Sequence, residues 1–348
     1  MTRQERLGFV AVFTVSVLAL VLEQVNVAGQ FVFVVAAVAV AGLAWLLGEA
    51  TEHAGETSGA RVSALLNASF GNLPEVVILV LAINSGLLDI ARASIIGSVI
   101  GNVLLILGLS LIIGGWRHGI QTFNQRLAAM NSSMLVFAVA GLGLPTLFIT
   151  VHHSATDAAL MSRWTAVALF VAYVAYVYGT FTMPGVNFRS VGGASHWSRT
   201  QALVLLGVTA IGTGVVSEVL VKSIEPTVRA WGVPRPFIGL IVVPLVGNVA
   251  EHFSAVRLAW RGSLDFAMGI ALGSAIQIAL LASSVAVLAS ALIGNDMTLA
   301  FPALELGALG AAAILGMVVA RNGETNWLEG LQLLTVYFIV AVAFWLLG

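Results

Sequence analysis

Run after run of this sequence carries hardly a charge for roughly 20 residues, the length a helix needs to cross the hydrocarbon core of a bilayer. Only short polar breaks separate the runs, which fall at residues 7–24, 30–50, 62–84, 90–114, 130–150, 163–182, 200–223, 235–258, 264–292, 299–319 and 327–347. Water is absent at that depth, so each run must bond its own backbone, which a helix does. The pattern predicts an all-α polytopic membrane protein of about eleven transmembrane helices. Only 9% of the residues are charged, against about 25% in a soluble domain. Little chain is left for a water-soluble domain, and function must reside inside the membrane. The first run follows Met-Thr-Arg-Gln-Glu-Arg as a signal peptide would. It lacks a small-residue cleavage site and more spans follow, so it reads as a retained first helix.

Several classes of function are excluded early. There is no cysteine, hence no disulfide, thiolate metal site or cysteine nucleophile. No basic stretch could neutralise nucleic-acid phosphates. Gly141-Leu-Gly143 and Gly212-Thr-Gly214 resemble cofactor loops, but neither sits between a strand and a helix. Small residues in membrane spans serve close helix contact. Neither a nucleotide site nor a primary pump is expected, nor an enzyme, nor a cofactor.

Placing the N-terminus in the cytoplasm puts ten basic residues inside, Arg3, Arg117, Arg257 and Arg321 among them. It puts five outside: Arg92, Arg163, Lys222, Arg229 and Arg235. That bias follows the positive-inside rule, and an odd span count then leaves the C-terminus outside.

Two stretches of the chain nearly repeat. The first reads G-N-L-P-E from Gly71 to Glu75, the second G-N-V-A-E-H from Gly247 to His252. At the same offset of 176, Gly86 meets Gly262, Asp89 meets Asp265, and Gly97-Ser98 meets Gly273-Ser274. Apolar matches arise by accident in such sequence; the Asn, Glu, Asp and Ser matches do not. The motifs lie in the third and eighth spans, and five spans between them is an odd number. The copies therefore face opposite ways, the inverted-repeat plan of secondary transporters with a midplane site. The organisation becomes an extra helix (1–28), a first five-helix repeat (29–182), a loop (183–199) and a second, inverted repeat (200–348). Ser58 and Thr227 are expected in the loops that follow each repeat's first helix.

An ionisable residue in the bilayer is costly and is normally functional or paired. Glu75 and Glu251 would together balance one divalent cation. Pro74 removes an amide donor, so a broken helix would expose carbonyl oxygens beside the acid. Ca²⁺ takes six to eight oxygens in loose geometry. Asn72 and Asn248, three residues upstream, share the helical face of their glutamates and can add amide oxygens. Ser98, Ser274 and Gln277 on the following spans can complete the shell. Two empty carboxylates repel one another and lose hydration, so protons stabilise the empty site and cation and protons displace each other. The plainer reading makes both glutamates structural, paired across the bundle.

A second acidic pair precedes the first. Glu49 ends the second span, with Glu52 and His53 beyond it, and Glu218 lies inside the seventh. They could relay ions to the centre, although Lys222 is placed to pair with Glu218. Glu52 and Glu225 are as readily solvated. His252 suits packing or hydrogen bonding better than proton transfer. His152, His153 and Asp157 read as a solvated outer loop. Asp89 and Asp265 stand where a residue caps a helix.

With L-L-N-A-S-F-G-N-L-P-E from Leu65, G-S-V-I-G-N-V-L-L-I-L-G from Gly97, S-E-V-L-V from Ser217 and G-S-A-I-Q-I-A-L from Gly273, the chain resembles the calcium/proton exchanger (CAX) family of the Ca²⁺/cation antiporter superfamily. The resemblance implies eleven helices, antiport of Ca²⁺ against H⁺ by alternating access, and a homotrimer in membrane lipid. Carried over by motif, Glu75 and Glu251 are the central carboxylates. Asn72, Asn248, Ser98, Ser274, Gln277 and, by resemblance, Asn102 line the cation region. Glu49 and Glu218 serve the access path. Pro74 departs from the family, whose proton-coupled members often carry a small residue there, and resembles sodium/calcium exchangers instead. The 183–199 loop lacks the acidic segment of eukaryotic members, which implies a prokaryotic inner-membrane protein. Na⁺/Ca²⁺ exchange on the same fold and monovalent-cation/H⁺ exchange stay open, as do, more remotely, a channel and a non-transporting scaffold.

Overall fold

The computed structural model describes residues 3–56, 62, 66–67, 69–152, 154–182 and 197–347. Ser58, Arg61, Leu65, His153, Arg189 and most of the 183–199 loop lie outside the described residues. The helices, in order, are α1 (Arg3–Gln24), α2 (Gly29–Glu56), α3 (Leu73–Asn84), α4 (Leu88–His118), α5 (Gln125–Val151) and α6 (Ala155–Thr182). There follow α7 (Arg199–Trp231), α8 (Arg235–Gly247), α9 (Val249–Trp260), α10 (Leu264–Ile293), α11 (Ala303–Val319) and α12 (Trp327–Leu346). The protein is an all-α, polytopic, integral membrane protein.

The span count differs from the sequence expectation. Among the described residues, eight helices are long and apolar enough to cross a membrane, or nine if the bent pair α8–α9 counts as one. The reason is local. The third and eighth runs are each broken at their asparagine, leaving α3 with 12 residues, and α11 has only 17. α7 also runs past its expected end through Pro226, so Thr227 is a buried helical residue and not a loop one.

The described chain forms two compact units, each drawing on both halves of the sequence. One holds Met1–Ser85, Val177–Val233 and Val246–Ala250. Here α2 packs along α7, α1 covers α2, and α3 lies on α7. Phe9, Leu46, Leu47, Ala50, Trp197 and Leu206 form its apolar centre. Trp197 stacks on His53 at 4.3 Å and donates its indole N–H to Glu5 Oε2 at 3.1 Å. These contacts fasten α1 and the start of α7 to the end of α2.

The second unit holds Gly86–Tyr176, Pro234–Leu245 and Glu251–Gly348. α4 runs through its middle, buried on nearly every side from Ile90 to Leu111, as an all-round apolar helix must be. Its contact with α8 depends on Gly97, because a Cβ there would stand 1.9 Å from Leu240 O, a backbone atom. Two connections pair as a small antiparallel ladder, Gln121 with Thr325 and Thr122 with Glu324.

Asp89 and Asp265 do not cap their helices as expected. The residues before α4 and α10, Leu87 and Ser263, provide no side-chain cap. Asp89 instead takes a two-pronged ion pair from Arg235 (2.8 and 3.0 Å), and Asp265 accepts the amide of Asn124. Each aspartate thus holds a neighbouring segment.

Candidate functional site

Both repeated motifs fold as helix starts. Gly71-Asn72 forms a turn, α3 begins at Leu73, and Asn72 occupies its cap position without a side-chain capping bond. Pro74 therefore sits in the first turn, where its missing N–H costs nothing, and not in a helix interior as the kink argument required. In the second motif Asn248 is the break itself: α8 ends at Gly247, α9 begins at Val249, and the two are bent by 63°. The i, i+3 helical face expected for each Asn–Glu pair is replaced by a cap residue and a first-turn acid.

This placement has an electrostatic consequence. Glu75 and Glu251 lie in the first turns of α3 and α9. The first four N–H groups of a helix have no intrahelical acceptor and carry the positive end of its dipole. That favours a carboxylate by about 0.3–2 kcal/mol. Burial of an ion costs several kcal/mol and outweighs that gain. Glu75 is only 3% exposed. Glu251 keeps a buried Oε2 with no hydrogen-bond partner among the described residues.

In the first unit, Asn72, Glu75 and Asn248 are all buried. Glu75 lies against the second motif, since a Cβ on Gly247 would stand 2.8 Å from its Oε1. Any side chain at 247 would have to displace this acid. Glu49 is half-buried on α2, next to Gly48, whose added Cβ would reach Ala250 Cβ at 3.0 Å. Glu218 is exposed on α7 and pairs with Lys222 at 2.8 Å; Lys222 also reaches Glu23 at 3.6 Å. Its neighbour Ser217 is fully buried, with an Oγ lacking a hydrogen-bond partner among the described residues. Sequence reading passed over Ser217 because charge, not burial, drew attention to this turn.

In the second unit, Ser98, Asn102 and Ser274 are buried and Gln277 is half-buried. Asn102 donates its side-chain N–H to Ser274 Oγ at 3.0 Å. Asn102 lies in a π-helical turn, Gly101–Ile106, and a second, Ile278–Ala282, follows Gln277. The two turns correspond at the repeat offset. A π-turn shifts the bonding pattern by one residue and is common at functional sites. A third spans Ile238–Val242 in α8. No local sequence signal marks these turns; once one is known, the repeat offset finds its twin.

A helical membrane bundle with a helix break at Asn72 and another at Asn248, each followed by a first-turn glutamate, fits a secondary cation transporter. The sodium/calcium exchanger protein family model matches residues 29–182 and 201–346. The chain belongs to this family, and within it to the Ca²⁺/H⁺ antiporter (CAX) group. It is 35% identical to the Ca(2+)/H(+) antiporter ChaA of Bacillus subtilis over 323 residues, covering 90% of this chain and 92% of the relative. To the Ca(2+)/H(+) antiporter of Aphanothece halophytica it is 32% identical over 333 residues, covering 90% and 89%. Among solved structures it resembles native YfkE, with a TM-score of 0.86, 34% identity and coverage of 97% and 99%.

Proposed function

We propose that this chain exchanges Ca²⁺ for H⁺ by alternating access, with Glu75 and Glu251 accepting either one Ca²⁺ or protons. The observation that carries this reading is the buried, unbonded Oε2 of Glu251 in the first turn after the Asn248 break. A proton or a cation would satisfy that oxygen, and nothing else described does. Asn72, Asn248, Ser98, Ser274, Gln277 and Asn102 are the neutral oxygen donors of the proposed cation region, and Glu49 and Glu218 its access residues. Among the described residues no three His, Asp or Glu side chains converge. Neutral oxygens must then supply most of a shell of six to eight.

The two-segment family match supports a repeat of 29–182 and a repeat of 200–348, inverted relative to each other, with 1–28 an added helix. Counting the two shorter helices α3 and α11 as crossings, beside eight long helices and the bent α8–α9 pair, supports a reading of eleven. α3 alone is about 18 Å long, short of the ~30 Å core, as half of a broken span should be.

Proteoliposomes with an acidic lumen should accumulate external Ca²⁺ in the absence of sodium and stop when the pH gradient is collapsed. Accumulation supported only by a sodium gradient would overturn proton coupling. Glu75→Gln and Glu251→Gln should each fold and lose nearly all uptake; wild-type uptake by either would remove the central assignment.

A further inference from the structure

At one end of the second unit an open cavity of about 380 Å³ lies among α4, α5, α8, α11 and the loop before α11. Its walls are mainly apolar, Ile149 and Phe301 among them, and include Asp89, Arg92 and Glu305. Glu305, in the first turn of α11, is 4% exposed, and its Oε2 is buried with no hydrogen-bond partner among the described residues. Neither repeated motif includes this residue.

The neighbouring charges do not satisfy that oxygen. Asp89 is held by both prongs of Arg235. Arg92 directs its guanidinium to Leu88 O, Thr298 Oγ1 and Ala300 O at 3.3–3.5 Å. From α5 come only the hydroxyls of Thr146 and Thr150, and the π-turn of α4 carries neutral Asn102. On α12, Glu329 and Tyr337 stand outside the cavity lining, and Glu329 bonds Thr325. An ionised, unbonded carboxylate is expensive at such a place, whereas a proton removes the charge. The cavity is large enough for about a dozen water molecules at ~30 Å³ each.

We propose that Glu305 is a proton-binding site in its own right, loaded from the water of this cavity. With Glu305 ionised, the charges of Asp89, Arg92, Arg235 and Glu305 cancel. With Glu305 protonated the group carries one net positive charge, on Arg92, which repels a divalent cation at this mouth. The cavity therefore takes hydrogen ions and disfavours Ca²⁺ when loaded.

The test uses the full-length protein in liposomes and dicyclohexylcarbodiimide, which adds to protonated carboxyl groups in apolar surroundings. Mass spectrometry should find Glu305 modified, with labelling falling about tenfold or more between pH ~6 and pH ~9, the range over which a buried carboxyl titrates. Ca²⁺ should not protect it. Infrared spectra should show a protonated-carboxyl band that grows as pH falls and is missing in Glu305→Gln. Absence of labelling at every pH, labelling independent of pH, or a band unchanged in Glu305→Gln overturns the proposal. Loss of Ca²⁺ protection at Glu251 would count against the central site alone and leave Glu305 standing.

Discussion

Asn102 and Ser274 share a buried 3.0 Å hydrogen bond that ties the first half of the sequence to the second inside one unit. Ser274 is the repeat partner of Ser98, but the residue equivalent to Asn102 is Ile278. The bond therefore has no counterpart at the repeat offset. Asn102 is fully buried, so its amide has no water to fall back on.

The first prediction follows from that bond. Asn102→Ala and Ser274→Ala should each lower thermal stability in detergent. The double variant should lose less than the sum, with a coupling of about 0.5–2 kcal/mol, as for hydrogen bonds between membrane helices. Strict additivity would mean that the contact contributes nothing.

Gly247→Ala places a methyl group 2.8 Å from Glu75 Oε1. The obstacle is the far end of a flexible side chain, so the protein should still fold. Moving that carboxylate off its rotamer costs about 0.5–1.5 kcal/mol, a factor of roughly 2–12 in Ca²⁺ affinity. Gly269→Ala on α10, with no atom within 4 Å of the new methyl among the described residues, is the control and should leave affinity unchanged. Equal calcium titrations for the two variants would show that Glu75 does not depend on the bare Gly247 backbone.

Much of this was legible in the sequence, for physical reasons. Apolar length dictates helices in a membrane, and the acids at Glu75 and Glu251 stand out because burial makes them expensive. What was not legible is where a helix stops inside an apolar run. Hydropathy is blind to a break at Asn72 or Asn248, so the count came out as eleven uniform spans. Pro74 was the one local clue, and it admits two readings, an interior kink or a first-turn residue; the turn at Gly71-Asn72 selects the second. The π-turns and the Gly247–Glu75 contact arise from packing between distant segments. The role of Asp89 depends on Arg235, 146 residues away.

Glu218 and Lys222 have side chains 55% and 56% exposed, and an exposed i, i+4 pair is worth only about 0.3–0.5 kcal/mol. Glu218→Gln should therefore shift thermal unfolding very little, and Lys222 keeps Glu23 within 3.6 Å. Uptake should fall by no more than a few-fold, against near-complete loss in Glu75→Gln. An uptake defect as deep as that of Glu75→Gln, with stability unchanged, would move Glu218 from the access path to the ion site.

The last prediction tests the inversion of the two halves. Ser85, just after α3, and Arg261, just after α9, are equivalent at the repeat offset and both exposed. The chain contains no cysteine, so single cysteines at these positions report without background. With a cytoplasmic N-terminus, Ser85→Cys should react with a membrane-impermeant maleimide from the outside and Arg261→Cys only from the cytoplasmic face. The logic does not rest on the total number of crossings, because it compares two points separated by five crossings when the bent α8–α9 pair is one span. Labelling of both from the same side would make the halves parallel. The two broken helices would then enter the membrane from one face, and exchange at a single site opened alternately to each side would lose its structural basis.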